Sequence, residues 1–236
     1  MMSRILSIGA GVMGTAITIP AVTNGHEAKI VGTSLDEEII DSINKNSVHP
    51  KLNVQLTNTS ALLFNQMTQE DIDNSDVIVI GINSSGIDWF IELIKNFKVV
   101  NKKFLIVTKG LYMNEKKELD IFPNKIKNEI KQDLSLTAVT GPCKAIELAK
   151  KNLTNICFVN SDLDTAINLA NLFKNDYYVI KSQSDLLGAE LCAALKNVYA
   201  IAVGYSQTYF SKEEKIFNPE SALFSHCVNE MSHLVT

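Results

Sequence analysis

Residues 9–14 read Gly-Ala-Gly-Val-Met-Gly, and this segment strongly limits how the chain can fold. Glycines at this spacing permit a tight turn, a close approach of the backbone to a ligand and a close contact between a helix and a strand. The apolar residues 5–8 before it predict a buried strand, and residues 12–22 after it predict a helix. A helix that begins here leaves its first N–H groups free for an anion. The segment therefore predicts a site for the pyrophosphate of a dinucleotide.

Strand and helix signals alternate along the chain up to residue 180, as in a parallel sheet joined by crossover helices. The runs at 77–80 and 104–107 are apolar throughout, which is typical of central strands covered on both faces. We expect an α/β fold with a Rossmann-type, mostly parallel sheet and a loop at 44–50. Strands are predicted at 5–8, 28–31, 77–80, 104–107, 136–139, 156–159 and 177–180, and helices at 12–22, 36–43, 87–94 and 163–173.

The pattern changes after residue 184, where 185–206 and 221–235 read as two long helices with no strand after them. We expect a dinucleotide-binding domain at 1–182 and the start of an all-helical substrate domain at 183–236. The last helical pattern reaches Thr236 without a cap or a closing element, so we expect the helical domain to be incomplete. Glu190 and Lys196 interrupt the first helix, which therefore predicts a soluble core helix and no integral membrane segment.

Charge and composition exclude several classes of partner and site. The chain has 22 Lys and Arg against 26 Asp and Glu, and its basic residues cluster only in pairs, so nucleic acid is not an expected partner. The first apolar run is too short for a signal peptide, and we expect a cytoplasmic protein. The 4 cysteines are widely spaced and are expected to be reduced thiols, and no histidine has metal-ligand spacing.

The tip of the second predicted strand normally carries an acid for the ribose 2′-hydroxyl, but Gly32, Thr33 and Ser34 occupy it here. Asp36 follows, at a position typical of a helix N-terminus, where the macrodipole favours acidic residues. The sequence therefore leaves open whether the cofactor is NAD or NADP.

Two lysines stand at positions that could carry chemistry. Lys109 follows the strand at 104–107, at the edge where open α/β sheets bind ligands, and it could equally be a solvated loop lysine. Lys196 is surrounded by small and apolar residues at 191–204, so it either extends to the surface or is held in a cleft. In a cleft, burial would favour the neutral amine, which could act as a general base.

Five segments, at 9–16, 24–27, 108–111, 141–149 and 195–204, together resemble the NAD(P)-dependent glycerol-3-phosphate dehydrogenases in order and spacing. The resemblance covers essentially the whole chain. It implies a Rossmann-type domain followed by an all-helical domain. It also implies hydride transfer between NAD or NADP and C2 of sn-glycerol 3-phosphate or dihydroxyacetone phosphate, small-molecule phosphates whose interconversion feeds glycerophospholipid synthesis. A homodimer is compatible with this interpretation.

The resemblance also assigns roles to individual residues, with no metal among them. Lys196 matches the catalytic lysine that handles the proton of the C2 oxygen. The family's later helical region supplies an Asp, a hydroxyl residue and an Asn-Arg pair, none of which can be matched here. The implied substrate-binding residues are Lys109, Gly141, Cys143, Lys196 and Asn197, and the implied cofactor-binding residues are Gly9, Gly11, Val12, Met13, Gly14, Thr33, Lys109 and Ala145.

Two alternatives remain open from the residues. One is a related Rossmann dehydrogenase that acts on a hydroxy acid. The other is a truncated, non-catalytic protein that binds a dinucleotide. Assays of carbonyl substrates with NADH or NADPH distinguish a glycerol-3-phosphate dehydrogenase from a hydroxy-acid dehydrogenase. Cofactor binding without turnover would indicate the non-catalytic protein.

Overall fold

A computed structural model describes residues 2–132, 134–210 and 216–235. The strands are β1 (Arg4–Ile8), β2 (Glu27–Gly32), β3 (Val48–His49), β4 (Val54–Gln55), β5 (Thr59–Leu63), β6 (Val77–Ile80), β7 (Lys103–Ile106), β8 (Leu111–Met113), β9 (Leu119–Ile121), β10 (Ser135–Thr140), β11 (Thr154–Val159) and β12 (Tyr178–Gln183). The helices are α1 (Val12–Ala16), α2 (Thr18–Thr23), α3 (Glu37–Asn46), α4 (Gln69–Asp73), α5 (Ile87–Lys95), α6 (Phe122–Ile130), α7 (Ala145–Ala149), α8 (Leu163–Phe173), α9 (Leu186–Phe210) and α10 (Asn218–Val235), with short 3₁₀ turns at Phe64–Gln66 and Ser84–Gly86.

An 8-stranded sheet in the order β12-β11-β10-β7-β6-β1-β2-β5 forms the core. Its neighbouring strands run parallel except for β10 and β11, which are antiparallel. From β1 the chain first builds one side of the sheet through β2 and β5, and then returns to pair β6 with β1 on the other side. The resulting switch point lies at the carboxyl end of β1, where sheets of this kind bind ligands. The expected mostly parallel α/β sheet is confirmed.

Alternate residues of the central strands face two separate apolar cores. Leu6, Ile78 and Phe104 belong to the core that includes α5 and α6. Ile5 and Val77 belong to the core that includes α8. Since the strands are covered on both faces, their apolar runs are continuous, as the sequence indicated.

Several short elements were not predicted. The predicted loop at 44–50 is wrong, because α3 extends to Asn46 and Val48–His49 pairs with Val54–Gln55 as a small antiparallel hairpin. A second hairpin joins β8 to β9. Strand β5 lies at the edge of the sheet, where its half-exposed residues lack the continuous apolar run of a central strand.

The helix predicted at 12–22 is interrupted at Ile17, between α1 and α2. Pro20 lies one turn further on and has no N–H to donate to the carbonyl of Ala16, so the regular hydrogen-bond ladder is broken there.

Helices α9 and α10 follow the sheet and pack against each other, and α9 also packs on β9 and β10. The prediction that α9 is a core helix is wrong for most of its length: Val198, Ile201 and Tyr205 are 64%, 74% and 67% exposed. Its first turns alone reach the apolar core, through Leu186. By length and composition α9 is also long and apolar enough to cross a membrane. One such helix is weak evidence for a membrane span.

Candidate functional site

The glycine loop between β1 and α1 is packed against the end of β6. Gly9 has a φ of +113°, and a Cβ there would lie 2.6 Å from the carbonyl oxygen of Gly81. A Cβ on Gly14 would lie 2.8 Å from the same oxygen. These glycines are therefore required by the close contact between the loop, the helix and β6. Gly81 is the partner that the sequence motif did not identify, because it lies beyond the motif in the chain.

Gly11 is different, because the fold leaves room for a side chain there. Its backbone has a φ of −64°, and the nearest atom to an added Cβ is the Gly81 oxygen at 4.0 Å. Gly11 caps the N-terminus of α1, and within the described residues no side chain makes a capping hydrogen bond to that terminus. The space beside Gly11 and the N–H groups of Val12 and Met13 fit the pyrophosphate of a dinucleotide.

His49 and Ser7 make hydrogen bonds to backbone carbonyls of residues 9–14, and the sequence predicted neither role. The N–H of Leu52 donates to His49 Nδ1 at 3.2 Å, so Nε2 carries the proton and donates to the carbonyl of Ala10 at 3.0 Å. His49 is fully buried, and burial lowers its pKa. The Ser7 hydroxyl donates to the carbonyl of Gly14 at 2.7 Å. A distant hairpin brings His49 to the loop, so no local motif could reveal it.

The tip of β2 is held by Asp36. One oxygen of this carboxylate accepts hydrogen bonds from the N–H and the hydroxyl of Thr33, both at 2.8 Å. Asp36 is also the residue at the N-cap of α3, as its position in the sequence predicted. These two hydrogen bonds from Thr33 to one oxygen of Asp36 order the tip of β2.

Lys109 lies in the loop after β7, at the same carboxyl edge as the glycine loop. The hydroxyl of Thr108 donates to the carbonyl of Ile82 at 2.7 Å, which ties this loop to the end of β6. Lys109 is half-buried. Burial and then the charge of Lys196 lower its pKa, and Glu190 and Cys143 act in the opposite direction.

The loop after β10 carries Gly141 and Cys143 and leads into α7 at Ala145. Gly141 has a φ of +115°, which glycine adopts without strain. Helix α7 packs on α1, and Met13, Cys143 and Ala145 border the same apolar core. Burial raises the pKa of Cys143, against the charges of Lys109 and Lys196. The loop predicted to touch the substrate thus adjoins the helix predicted to hold the cofactor.

Lys196 and Asn197 lie on α9 and are both exposed. Of the two alternatives that the sequence left open for Lys196, the structure shows the exposed one, because the apolar residues around it in sequence lie on a helix whose middle is mostly uncovered. Lys196 nevertheless acts electrostatically on both Lys109 and Cys143. The structure thus brings these three predicted residues together, whereas Thr33 lies at the end of β2.

Glu190 is a further member of this group that the sequence analysis did not assign to the site. It is 0% exposed, and neither of its carboxylate oxygens has a hydrogen-bond partner in the described part of the chain. Burial raises its pKa to about 7, and the charge of Lys109 opposes this change. The one available signal was a carboxylate within an otherwise apolar helical segment.

An open cleft of about 510 Å³ lies at the opposite, amino-terminal edge of the sheet. Its charged side chains are paired: Lys29 Nζ lies 2.6 Å from an oxygen of Asp71, and Arg4 Nε lies 3.6 Å from one of Glu27. Parallel sheets bind their ligands at the other edge, so we place the functional site at the carboxyl ends of the strands.

Comparisons with known sequences identify the family. A profile described as the N-terminus of NAD-dependent glycerol-3-phosphate dehydrogenase matches residues 4–166, and the corresponding C-terminus profile matches residues 185–236. A protein of Archaeoglobus fulgidus named NADP(+)-dependent glycerol-3-phosphate dehydrogenase is 30% identical over 231 residues, which are 97% of this chain and 68% of the relative. A glycerol-3-phosphate dehydrogenase, NAD(P)+, of Bacillus anthracis is 24% identical over 235 residues, 99% of this chain and 66% of the relative.

Solved structures show the same fold. Glycerol-3-phosphate dehydrogenases from Coxiella burnetii and Plasmodium falciparum give TM-scores of 0.80 and 0.81 at 21% and 22% identity. The matches cover 99% and 98% of this chain, and 69% and 64% of the other chains. The chain spans about two thirds of the length of the curated relatives that it matches. With both profiles matched in order along the sheet and the following helices, the chain belongs to the NAD-dependent glycerol-3-phosphate dehydrogenase family.

Proposed function

We propose that the chain binds NAD or NADP and takes part in the interconversion of sn-glycerol 3-phosphate and dihydroxyacetone phosphate. One observation carries this proposal: the glycine loop and the group formed by Lys109, Cys143 and Lys196 lie at the same edge of one sheet. An anion site for a cofactor and a cationic site for a small phosphate are thereby adjacent.

The cofactor lies along the carboxyl ends of the strands in this proposal. Its pyrophosphate binds at the N–H groups of residues 11–14, where Gly11 leaves open space. Thr33 contacts the adenosine ribose, because it lies at the tip of β2 beside the glycine loop. Lys109 and Ala145 contact the nicotinamide half, since they follow β7 and the β10 loop on the other side of the switch point. Gly9 and Gly14 act by keeping the loop and α1 close to β6.

The substrate lies between the β10 loop and α9. Lys109 and Lys196 attract the phosphate dianion and the C2 oxygen, and Gly141, Cys143 and Asn197 form the adjacent surface. A bound nicotinamide cofactor would supply the acceptor for the hydride from C2 of the alcohol, or the donor of that hydride to the ketone. In its neutral form the amine of Lys196 takes the hydroxyl proton as the C2–O bond becomes a carbonyl, and in the reverse direction its ammonium form donates that proton to the C2 oxygen.

Other features of the proposal follow from the same assignment. Residues 1–182 hold the cofactor, and residues 183–236 supply Lys196 from α9. The product feeds glycerophospholipid synthesis, the protein acts in the cytoplasm, and none of the residues that the structure describes forms an integral membrane segment. The packing of Leu186 into the apolar core supports this interpretation of α9, since it attaches the first turn of that helix to the sheet domain.

The test compares two carbonyl substrates at equal concentration, each with NADH and with NADPH. Dihydroxyacetone phosphate should support oxidation of at least one cofactor, and a 2-oxo acid without a phosphate should not. Equal or faster oxidation with the 2-oxo acid would contradict the proposed substrate. Cofactor binding without turnover of either carbonyl would contradict the proposed catalytic role of the chain.

A further inference from the structure

The hairpin formed by β8 and β9 begins two residues after Lys109 and has little apolar surface of its own to bury. Each strand has three residues, and Met113 and Leu119 are 60% and 67% exposed. A two-stranded hairpin is marginally stable at best in water by itself. Its place on the domain therefore depends on the side chains that it packs against the core, and Tyr112 is the largest of these.

Tyr112 packs on two residues of α6. Its ring is stacked on that of Phe122, with 6.1 Å between the ring centroids and 14° between the ring planes. Lys125 Nζ lies 5.3 Å from the centroid of the Tyr112 ring. Phe122 and Lys125 are three residues apart on one helix, so both reach the same neighbour. Since stacked rings and a cation over an aromatic face are each attractive, Tyr112 attaches the hairpin to α6.

Both Lys125 and the Tyr112 hydroxyl are held by a carboxylate. Lys125 Nζ lies 2.5 Å from an oxygen of Asp88, the second residue of α5, and only 18% of the lysine side chain is exposed. The Tyr112 hydroxyl donates to Asp120 Oδ2, on β9, at 3.2 Å. The Tyr112 ring is thus fixed both at its face and at its hydroxyl.

The stacked pair lies against the backbone that follows Lys109. Gly110 has a φ of +137°, and a Cβ there would lie 3.1 Å from Cε2 of Phe122, so the Gly110 backbone is packed on that ring. On the other side of Lys109, the Thr108 hydroxyl donates to the carbonyl of Ile82 at 2.7 Å. Lys109 therefore lies between two fixed points, one at the end of β6 and one on the Phe122 ring.

We propose that Tyr112 is a positioning residue whose ring keeps Phe122 and Gly110 in place. The backbone from which the Lys109 side chain extends is thereby held at the carboxyl edge of the sheet before any ligand binds. A ligand that meets Lys109 does not have to order this loop first. The consequence for catalysis rests on the proposed function. The order of the Lys109 backbone does not.

The first measurement is the NMR order parameter of the Lys109 amide in protein labelled with ¹⁵N-lysine, without cofactor or substrate. The signal is assigned by its loss in K109R. The value should be about 0.85 in the unsubstituted protein, as for rigid backbone, and should fall toward about 0.6 in Y112L. Y112F keeps the stacked ring and should keep this order. Y205L is the matched control and should leave it unchanged, because Tyr205 is stacked on another ring, that of Tyr209 on α9, at 5.7 Å.

An unchanged Lys109 order parameter in Y112L would overturn the proposal. The unsubstituted protein gives a second comparison, which does not require Y112L to fold. There the Lys109 amide should be as ordered as that of Lys103 on β7. A Lys109 value below about 0.6, the range of flexible backbone, would show that the loop is not fixed and would also overturn the proposal.

The second measurement is a double-mutant cycle on the turnover of dihydroxyacetone phosphate with NADH or NADPH. Y112L should lower kcat/KM by at least about tenfold in the unsubstituted background. In the K109M background it should lower kcat/KM by less than about twofold, since a residue that acts through Lys109 has no further effect once that side chain is gone. Equal losses in both backgrounds would assign Tyr112 a general role in the fold and would overturn the proposal.

The two measurements separate this proposal from the proposed function. If the unsubstituted protein shows no turnover with either cofactor, that result counts against the proposed function alone. The order parameter of Lys109 then still decides whether Tyr112 positions the loop.

Discussion

His49 Nε2 donates a hydrogen bond to the carbonyl of Ala10 at 3.0 Å, across 39 residues of sequence. The hairpin after α3 is thereby fixed to the centre of the glycine loop. The backbone that we propose as the pyrophosphate site is therefore stabilised by a hydrogen bond from a neutral, buried imidazole. Its position depends on a residue that has no role in the motif itself.

His49→Ala should therefore loosen the glycine loop. The substitution leaves the Ala10 carbonyl and the Leu52 N–H without their partner, at a cost of about 1–3 kcal/mol, and it opens a cavity. We expect a lower free energy of unfolding in urea and weaker NADH or NADPH binding by fluorescence titration. His226→Ala, at an exposed position on α10, is the control and should change neither. Unchanged stability and affinity in His49→Ala would contradict this role.

The same histidine predicts how stability depends on acid. Burial holds the pKa of His49, and that of His26, below the ordinary value of 6.5 in the fold. As the pH falls below 6.5, the unfolded chain therefore binds protons that the native state does not, and the free energy of unfolding should decrease. Urea unfolding between pH 7 and pH 5 measures the slope. The measurement is made in E190Q, which removes the opposite contribution of Glu190. A free energy of unfolding that increases from pH 7 to pH 5 would contradict the buried neutral state of both rings.

Glu190 should produce the opposite slope. Its pKa is raised from 4.5 to about 7 in the fold, so the native state retains a proton that the unfolded chain has lost. As the pH rises from 4.5 to 7, the free energy of unfolding should therefore decrease by about 3 kcal/mol. E190Q should lose that contribution and be more stable than the unsubstituted protein at pH 8, measured by urea unfolding. Equal stabilities at pH 8 would show that the carboxylate is not desolvated.

Gly11→Val should abolish cofactor binding and leave the fold intact. The nearest neighbour of a Cβ at Gly11 is 4.0 Å away, so the protein can accept the side chain, but the space beside the helix N-terminus is then filled. A loss of at least about tenfold in NAD(P)H affinity is expected, which corresponds to about 1.4 kcal/mol. Gly204→Ala, in an open position on α9, is the control. A folded Gly11→Val protein with unchanged affinity would refute the placement of the pyrophosphate.

Lys196→Met should reduce turnover of dihydroxyacetone phosphate with little change in cofactor affinity. Proton transfer by a positioned group contributes about 10²- to 10⁴-fold, so a decrease of that size is expected in kcat. Lys45→Met, at an exposed lysine paired with Asp41 on α3, controls for the loss of one surface charge. Near-normal turnover by Lys196→Met would exclude Lys196 as the acid–base group.

The sequence by itself determined the sheet and the position of the cofactor loop. Continuous apolar runs such as Val77–Ile80 indicate strands covered on both faces, and the glycine spacing requires a turn between a strand and a helix, so both follow from local patterns. Strand β5 and the two hairpins escaped detection because edge strands and two- or three-residue strands bury too little to leave a clear period. The tip of β2 was located correctly, but its bond to Asp36 became visible only in the structure.

Only the tertiary structure decided what surrounds the two lysines. The apolar neighbours of Lys196 in sequence left open whether its side chain is exposed or held in a cleft. The side chain is exposed, and local composition could not show this because it does not tell which face of a helix is covered. Conversely, Glu190 reads as an ordinary polar interruption of α9, and it becomes significant only because the fold encloses it near Lys109. Burial and long-range electrostatic interactions depend on which distant segments pack together. For the same reason, the hydrogen bond from His49 to the glycine loop could not be read from the local sequence.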